Sequence, residues 1–132
     1  MDKQVIFNTV CGVMNVRPEL VMQDNSIFGA RKKELVEARF WSMYFMKRYT
    51  IDSLEVIGAF FNRNHATALH AIKKIDENLL VYSESRILQS NIELAFIEIR
   101  KAEAERIMKQ RLELLVNEFT DKAKQIINDL TK

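Results

Sequence analysis

The hydrophobic and polar positions between Ile57 and Lys74 predict two helices separated by a short polar turn at residues 62–64. The second helix is expected to begin near Asn64 or His65. Apolar side chains recur along it at helical spacing and predict the face that seats it: Ala68, Leu69, Ile72 and Ile75. Its polar positions are Asn64, His65, Thr67, His70, Lys73 and Lys74. A helix divided in this way is suited to offer one polar face to a groove.

Three further helices are predicted before this pair. Apolar positions in residues 3–16 recur at helical spacing, and Pro18 suits the first turn of a short second helix. The most apolar helix follows the basic cluster at residues 31–33 and ends near Tyr49, which predicts a central position. The expected fold class is all-α, a helical bundle with a helix-turn-helix and a long C-terminal helix.

The first helix of the pair has its own N-cap signal and one unusual glycine. Asp52 or Ser53 can take the N-cap position, because a short polar side chain accepts from the free amides of the first turn. Gly58 inside this helix costs about 1 kcal/mol relative to alanine. We therefore expect a neighbouring helix to approach closely at Gly58.

The C-terminal third has neither proline nor glycine from Ser83 onwards, which predicts one long helix with at most one break. A first apolar stripe comprises Leu88, Ile92, Ala95, Ile99 and Ala102. A second stripe, shifted in phase near Arg106, comprises Met108, Leu112, Leu115, Phe119, Ala123, Ile126 and Leu130. The second stripe either packs on another copy or a partner protein, or folds back on its own core. The predicted domains are residues 1–82 and residues 83–132.

Charge is distributed unevenly along the 132 residues. The net charge is only +2, but residues 29–74 contain nine basic and four acidic side chains. Residues 84–132 contain nine of each, as in a salt-bridged helical surface. Cations in the first turn of a helix oppose its dipole, so the cluster at residues 31–33 suggests an external anion such as a phosphate backbone.

Cysteine usage and hydropathy indicate the compartment. The single cysteine, Cys11, cannot form an internal disulfide, and it lies in an apolar helical run where a buried thiol fits. No signal peptide and no run of about 20 apolar residues is present, so no membrane association is expected. A reducing cytoplasm, in association with the nucleoid, is the expected location.

Signals for catalysis and for metal binding are absent from the sequence. It has no glycine-rich phosphate loop, and one cysteine cannot supply a cysteine-based metal cluster. His65 and His70 diverge by roughly 140° around a helix axis, so they cannot share a metal ion. We expect no catalytic residue, no metal and no cofactor.

An ordered set of motifs carries a family resemblance. The strings are Arg31-Lys32-Lys33, Ala38-Arg39, Met43-Tyr44-Phe45, Ser53-Leu54 with Ile57-Gly58, Arg63 with His65 and Thr67, and His70-Ala71 with Lys74-Ile75. At nearly this spacing they resemble the C-terminal DNA-binding domain of the bacterial replication initiator DnaA. The resemblance spans about residues 3–78. It implies a helix-turn-helix whose second helix enters the major groove, while a basic loop reaches the minor groove.

The resemblance also implies roles for individual residues. Base contacts are expected from Arg31 in the minor groove and from Asn64, His65 and Ala66 in the major groove. Phosphate contacts are expected from Lys32, Lys33, Ser53, Arg63, Thr67, Lys73 and Lys74. Double-stranded DNA is therefore the expected partner.

Three departures from the family pattern bear on specificity and activity. Asn64 stands where the family usually has aspartate, Ala66 stands where it has threonine or serine, and the segment from Gly58 to His65 is one residue shorter. Aspartate can accept from cytosine, whereas asparagine suits adenine, so a changed base preference is expected. The initiator's ATPase module would precede this domain, and only about 30 residues precede the basic cluster, so we expect no ATP-driven activity.

Two functions follow from these observations as hypotheses. The first is a non-enzymatic, sequence-specific DNA-binding protein, paired through its C-terminal helix, that serves replication or transcription regulation in a mobile element or phage. The second is a protein-interaction adaptor, in which the helix-turn-helix is a scaffold and the long C-terminal helix holds a partner.

Overall fold

The computed structural model describes residues 1–23 and 32–131, and every regular element within them is helical. The elements are α1 (Lys3–Met14), α2 (Pro18–Met22), α3 (Lys32–Tyr49), α4 (Leu54–Phe60), α5 (His65–Val81) and α6 (Ser83–Leu130). The predicted all-α fold class is thus confirmed. The chain divides into two compact units, Met1–Phe96 and Ile97–Lys132.

The first unit is built around α3. This helix buries Trp41, Met43, Phe45 and Met46, each at most 3% exposed. Helices α1, α2, α4 and α5 all pack against it. The most apolar helix therefore takes the central position that its composition predicts.

Two helices of the first unit end at an asparagine with a left-handed backbone. The φ angle is 56° at Asn15 and 57° at Asn62, in a region that asparagine tolerates better than most residues. After α4, the amides of Asn62 and Arg63 donate to the carbonyls of Ala59 and Gly58 at 3.0 and 2.9 Å. This pair of hydrogen bonds is the Schellman termination of a helix. The predicted turn is thereby fixed by its own backbone.

The N-terminal part of α6 belongs to the first unit. Ile92 and Phe96 are 0% and 2% exposed, and the ring centroid of Phe96 lies 5.2 Å from that of Phe45. Arg48 Nη1 lies 3.3 Å from Glu93 Oε1 and forms an ion pair with it. The compact unit therefore extends beyond residue 82, where the sequence suggested a domain boundary. A functional division at that position stays a prediction.

Helix α6 continues through the second unit without a break. Only part of the first stripe is buried: Ile99 and Ala102 are exposed, whereas Phe96, which is not in the stripe, is buried. The second stripe lies within this unit, and its large side chains are 57–80% exposed: Met108, Leu112, Leu115, Phe119, Ile126 and Leu130.

Cys11 lies in the core between α1 and the rest of the first unit, as its apolar context predicted. Its side chain is 1% exposed, and burial raises the pKa of the thiol to about 12. A thiol with so high a pKa is almost entirely protonated at neutral pH and is unreactive.

An ion pair joins the start of α1 to the segment before α4. Lys3 Nζ donates to Asp52 Oδ2 at 2.7 Å, and this hydrogen bond holds the pKa of the Asp52 carboxyl below its ordinary value of 3.8. A lowered folded-state pKa means that the pair stabilises the fold at neutral pH. That stabilisation is lost as the pH falls through the pKa of Asp52.

We expect Asp52→Asn to lower the free energy of unfolding at pH 7 and to change it little in strong acid, where the carboxyl is protonated in both states. Urea unfolding at a series of pH values measures the difference. Asp76→Asn, which removes an exposed carboxylate of α5, is the matched control. The same pH dependence for both variants would contradict the assignment.

Candidate nucleic-acid interface

Helices α4 and α5 form the predicted helix-turn-helix. Gly58 in α4 determines how closely the turn at residues 62–64 packs against this helix. A Cβ at position 58 would lie 2.5 Å from the carbonyl oxygen of Asn64 and 2.9 Å from that of Arg63. A methyl group therefore does not fit without moving the backbone. The expected close approach at Gly58 is confirmed, but the approaching group is the backbone of Arg63 and Asn64 before α5 and not a neighbouring helix.

Asn64 is the N-cap of α5. Its φ and ψ angles are −89° and 174°, and its Oδ1 accepts from the Thr67 amide at 3.0 Å and from the Thr67 hydroxyl at 3.1 Å. This oxygen satisfies one of the amides left free in the first turn. The Asn64 Nδ2 group is the part of the side chain that the cap does not use.

The buried face of α5 differs from the prediction, because it includes Ala71, leaves Ile72 only half-buried and excludes Leu69. Ala68, Ala71 and Ile75 are at most 2% exposed and pack in the core. Leu69, which the hydrophobic pattern assigned to this face, is 39% exposed, so that assignment was wrong. The pattern already contained a signal, because residue 69 follows His65 by four positions and therefore shares its side of the helix.

The exposed face of α5 begins with the predicted base-contact positions. His65 and Ala66 are exposed in the first turn of the helix. His65, Leu69 and Lys73 follow one another at steps of four residues, so they lie along one side of α5. His70 packs the edge of its ring against Phe40 of α3, with centroids 5.7 Å apart.

The predicted phosphate contacts lie at several positions on α4 and α5. Ser53 is the exposed N-cap of α4, where its Oγ accepts from the Val56 amide at 3.3 Å. Arg63, in the turn, is half-buried, and Thr67 is half-buried with its hydroxyl donating to Asn64. Lys73 and Lys74 are exposed on successive positions of α5.

The basic cluster is only partly described. Arg31 lies outside the described residues, and Lys32 is the first residue of α3. The exposed Lys33 has its amine 4.0 Å from Glu37 Oε1, a loose pair between solvent-exposed groups. Lys33 and Lys74 line the same shallow cleft between α3 and α5, so the structure brings these two predicted cations to one surface.

Within residues 1–23 and 32–131, no helix has both the length and the apolar composition that a membrane crossing requires. The same residues contain no cluster of three metal-ligating side chains.

Comparison with known proteins identifies relatives of the first unit. The family model described as the bacterial DnaA protein helix-turn-helix matches residues 4–75. The chromosomal replication initiator protein DnaA of Pseudothermotoga lettingae is 29% identical over 93 residues, which are 70% of this chain and 19% of that protein. The DnaA of Desulfatibacillum aliphaticivorans is 44% identical over 50 residues, which are 38% of this chain and 11% of that protein.

A third relative is also a chromosomal replication initiator protein DnaA. The DnaA of Flavobacterium psychrophilum is 51% identical over 47 residues, which are 35% of this chain and 10% of that protein. The chain thus spans between a tenth and a fifth of the length of these three relatives. The family match covers more than half of the chain and includes the whole of the helix-turn-helix except the last residues of α5. This chain belongs to the family of bacterial DnaA helix-turn-helix domains.

Proposed function

We propose that the chain is a sequence-specific double-stranded DNA-binding protein that inserts the N-terminal end of α5 into the major groove. The observation that carries the proposal is a helix whose first exposed turn presents His65 and Ala66, on a turn fixed by the N-cap Asn64, in a chain of this family. Residues near the start of a recognition helix are the ones that reach base edges.

The N-cap geometry of Asn64 alters the expected base preference. An asparagine that recognises adenine uses its oxygen and its nitrogen together. Here Oδ1 is already held by Thr67, so only Nδ2 remains to donate to a base acceptor. We therefore assign the main donor role to His65 and an apolar contact to Ala66, with the exposed Leu69 as a further candidate for a thymine methyl group.

Phosphate contacts would fix the register of α5 on the duplex. The Ser53 hydroxyl accepts a backbone hydrogen bond, so its own hydrogen can donate to a phosphate oxygen. Lys73 and Lys74 are exposed and can move towards the phosphates, and Arg63 would contact a phosphate from the turn. Before it could donate to a phosphate, the Thr67 hydroxyl would have to break its hydrogen bond to Asn64 Oδ1.

The basic cluster completes the proposed docking mode. Arg31 is assigned to the adjacent minor groove, and Lys32 and Lys33 to its phosphates. The shared surface of Lys33 and Lys74 supports this assignment, because one duplex can be contacted by both. The role is non-enzymatic and belongs to replication initiation or its regulation.

The second candidate is the protein-interaction adaptor. The observation that favours it is the long row of exposed apolar side chains in α6, which DNA binding does not use. Selection of binding sequences from random duplexes separates the two functions. An enriched motif supports DNA binding, whereas no enrichment by the intact chain rejects it.

His65→Ala is expected to weaken binding to the selected site by about 1–3 kcal/mol and to relax the choice of base at one position. Lys73→Glu combined with Lys74→Glu is expected to weaken binding to all duplexes and to reduce the salt dependence, because phosphate contacts release counterions. Fluorescence titration over a salt series measures both effects.

Matched controls separate these roles from folding and from net charge. Asn64→Asp keeps an N-cap oxygen and is expected to retain stability, so any change in its selected site reports on base recognition. Lys122→Glu combined with Lys124→Glu makes the same change of charge in the second unit. If this control weakens binding as much as the pair in α5, the docking mode is wrong.

A further inference from the structure

The second unit carries an apolar stripe with regular spacing. The positions are Ile97, Lys101, Ala104, Met108, Leu112, Leu115, Phe119, Ala123, Ile126 and Leu130, with successive steps of 4, 3, 4, 4, 3, 4, 4, 3 and 4 residues. The pattern repeats after 11 residues, a period that holds a stripe on one face of a nearly straight helix. Every position is apolar except Lys101, and the large apolar side chains are at least 56% exposed.

The same series of steps is obtained when the stripe is followed in the opposite direction. A second copy that runs antiparallel, with a two-fold axis between Glu113 and Leu114, therefore places every stripe position opposite another. In this register Ile97 faces Leu130 of the second copy. Likewise Met108 faces Phe119, and Leu112 faces Leu115.

The single charged position distinguishes the two possible orientations. A parallel pair in register would place Lys101 beside Lys101, two like charges in an apolar seam. In the antiparallel register Lys101 faces Ile126 of the second copy, near the end of the pair, where its amine can extend to water.

The charges that flank the stripe favour the same orientation. On the two sides of the axis, residues 97–113 contain five basic and four acidic side chains, whereas residues 114–130 contain two basic and three acidic ones. Antiparallel pairing brings these oppositely charged halves together, and parallel pairing brings like halves together. Along one edge of the seam, Arg111 comes opposite Glu118 of the second copy, and symmetry makes this contact twice.

We propose that the segment Ile97–Lys132 pairs antiparallel with the same segment of a second copy, about the two-fold axis between Glu113 and Leu114. A second copy fits better than an unrelated protein because the stripe and its flanking charges are complementary to themselves. The pairing does not depend on DNA binding, so either proposal can fail without the other.

Sedimentation equilibrium of the full chain tests the pairing. A reversible dimer is expected, and Phe119→Glu is expected to raise its dissociation constant roughly a hundredfold or more, because it places two charges in the seam. Ile51→Glu, at a fully exposed position of the first unit, is the matched control and should leave the constant unchanged. A monomer at about 0.1 mM would overturn the proposal. Equal weakening by both variants would do the same.

Disulfide formation tests the orientation. Chains carrying Ile97→Cys are mixed with chains carrying Leu130→Cys, allowed to exchange and oxidised, with the unaltered chain as the control for Cys11. An antiparallel pair is expected to give the mixed disulfide between positions 97 and 130. Two thiols at position 97 would lie about 50 Å apart in such a pair. Disulfides only between identical positions would show a parallel pair and overturn the proposal.

Charge exchange tests the register. Arg111→Glu is expected to weaken the dimer about tenfold, because it replaces two attractive contacts with two repulsive ones. Combining it with Glu118→Arg restores the opposite charges and is expected to recover the original dissociation constant. If the combined variant is as weak as the single one, the two residues do not face each other and the register is wrong.

Discussion

Replacing Phe96 with alanine is expected to lower the free energy of unfolding by about 3–5 kcal/mol, the usual cost of removing a fully buried ring. Phe96 is 2% exposed, and its ring meets Phe45 and Tyr49 edge-on, at centroid distances of 5.2 and 5.4 Å. The substitution leaves a cavity beside the central helix α3. Urea unfolding followed by circular dichroism measures the loss.

Phe119→Ala is the matched control, because it removes the same ring from the same helix. Phe119 is 76% exposed, so its substitution is expected to change the stability of the dilute chain by no more than about 0.5 kcal/mol. The comparison tests whether the first turns of α6 belong to the core. Similar, small losses from both variants would contradict that view.

Replacing Gly58 with alanine is expected to lower the free energy of unfolding by up to about 2 kcal/mol and to weaken DNA binding as well. The added Cβ would lie 2.5 Å from the carbonyl oxygen of Asn64, so the turn must move away from α4. Forcing such a contact costs about 1–3 kcal/mol, and the better helix propensity of alanine offsets about 1 kcal/mol of that cost. Displacing Asn64 also shifts His65, which is assigned to the bases.

Gly12→Ala is the control for the intrinsic effect of the substitution. Gly12 lies in α1, and a Cβ at that position meets nothing within 4 Å. There alanine is expected to raise the free energy of unfolding by about 0.5–1 kcal/mol. Thermal unfolding and DNA titration of both variants make the comparison. A stabilising effect at both positions would show that the turn has room to adjust.

The two substitutions concern the two contacts on which the helix-turn-helix depends. Packing against α3 holds the first unit together, and the contact at Gly58 holds the start of α5 at a fixed place relative to α4. The left-handed backbone at Asn62 ends α4 and begins the tight turn that leads to Asn64.

Much of the fold could be predicted from the sequence because its signals are local. Pro18 at the first position of α2 acts within one helical turn, so its residue type is sufficient to identify it. For the N-cap of α4 the sequence offered Asp52 or Ser53, and the structure shows Ser53. The central position of α3 followed from the density of its apolar residues. The predicted helix boundaries are correspondingly close to those observed.

The candidate site could be predicted less completely. The order of the motifs identified α5 and its first turn, since a polar leading edge and a family pattern both depend on sequence alone. The role of Asn64 as an N-cap, with its oxygen held by Thr67, required the backbone conformation. Leu69 was assigned to the wrong face because an apolar residue is normally buried, although its spacing of four residues from His65 already indicated the exposed side.

By itself the sequence determined the helical class, the helix-turn-helix and the basic segment that precedes it, because periodicity, capping and charge are properties of neighbouring residues. Only the tertiary structure decided that α6 contributes Phe96 to the core while its later apolar residues stay exposed. Both parts of α6 carry apolar residues at helical spacing. Whether a stripe is buried depends on what packs against it, and that contact comes from residues distant in the chain.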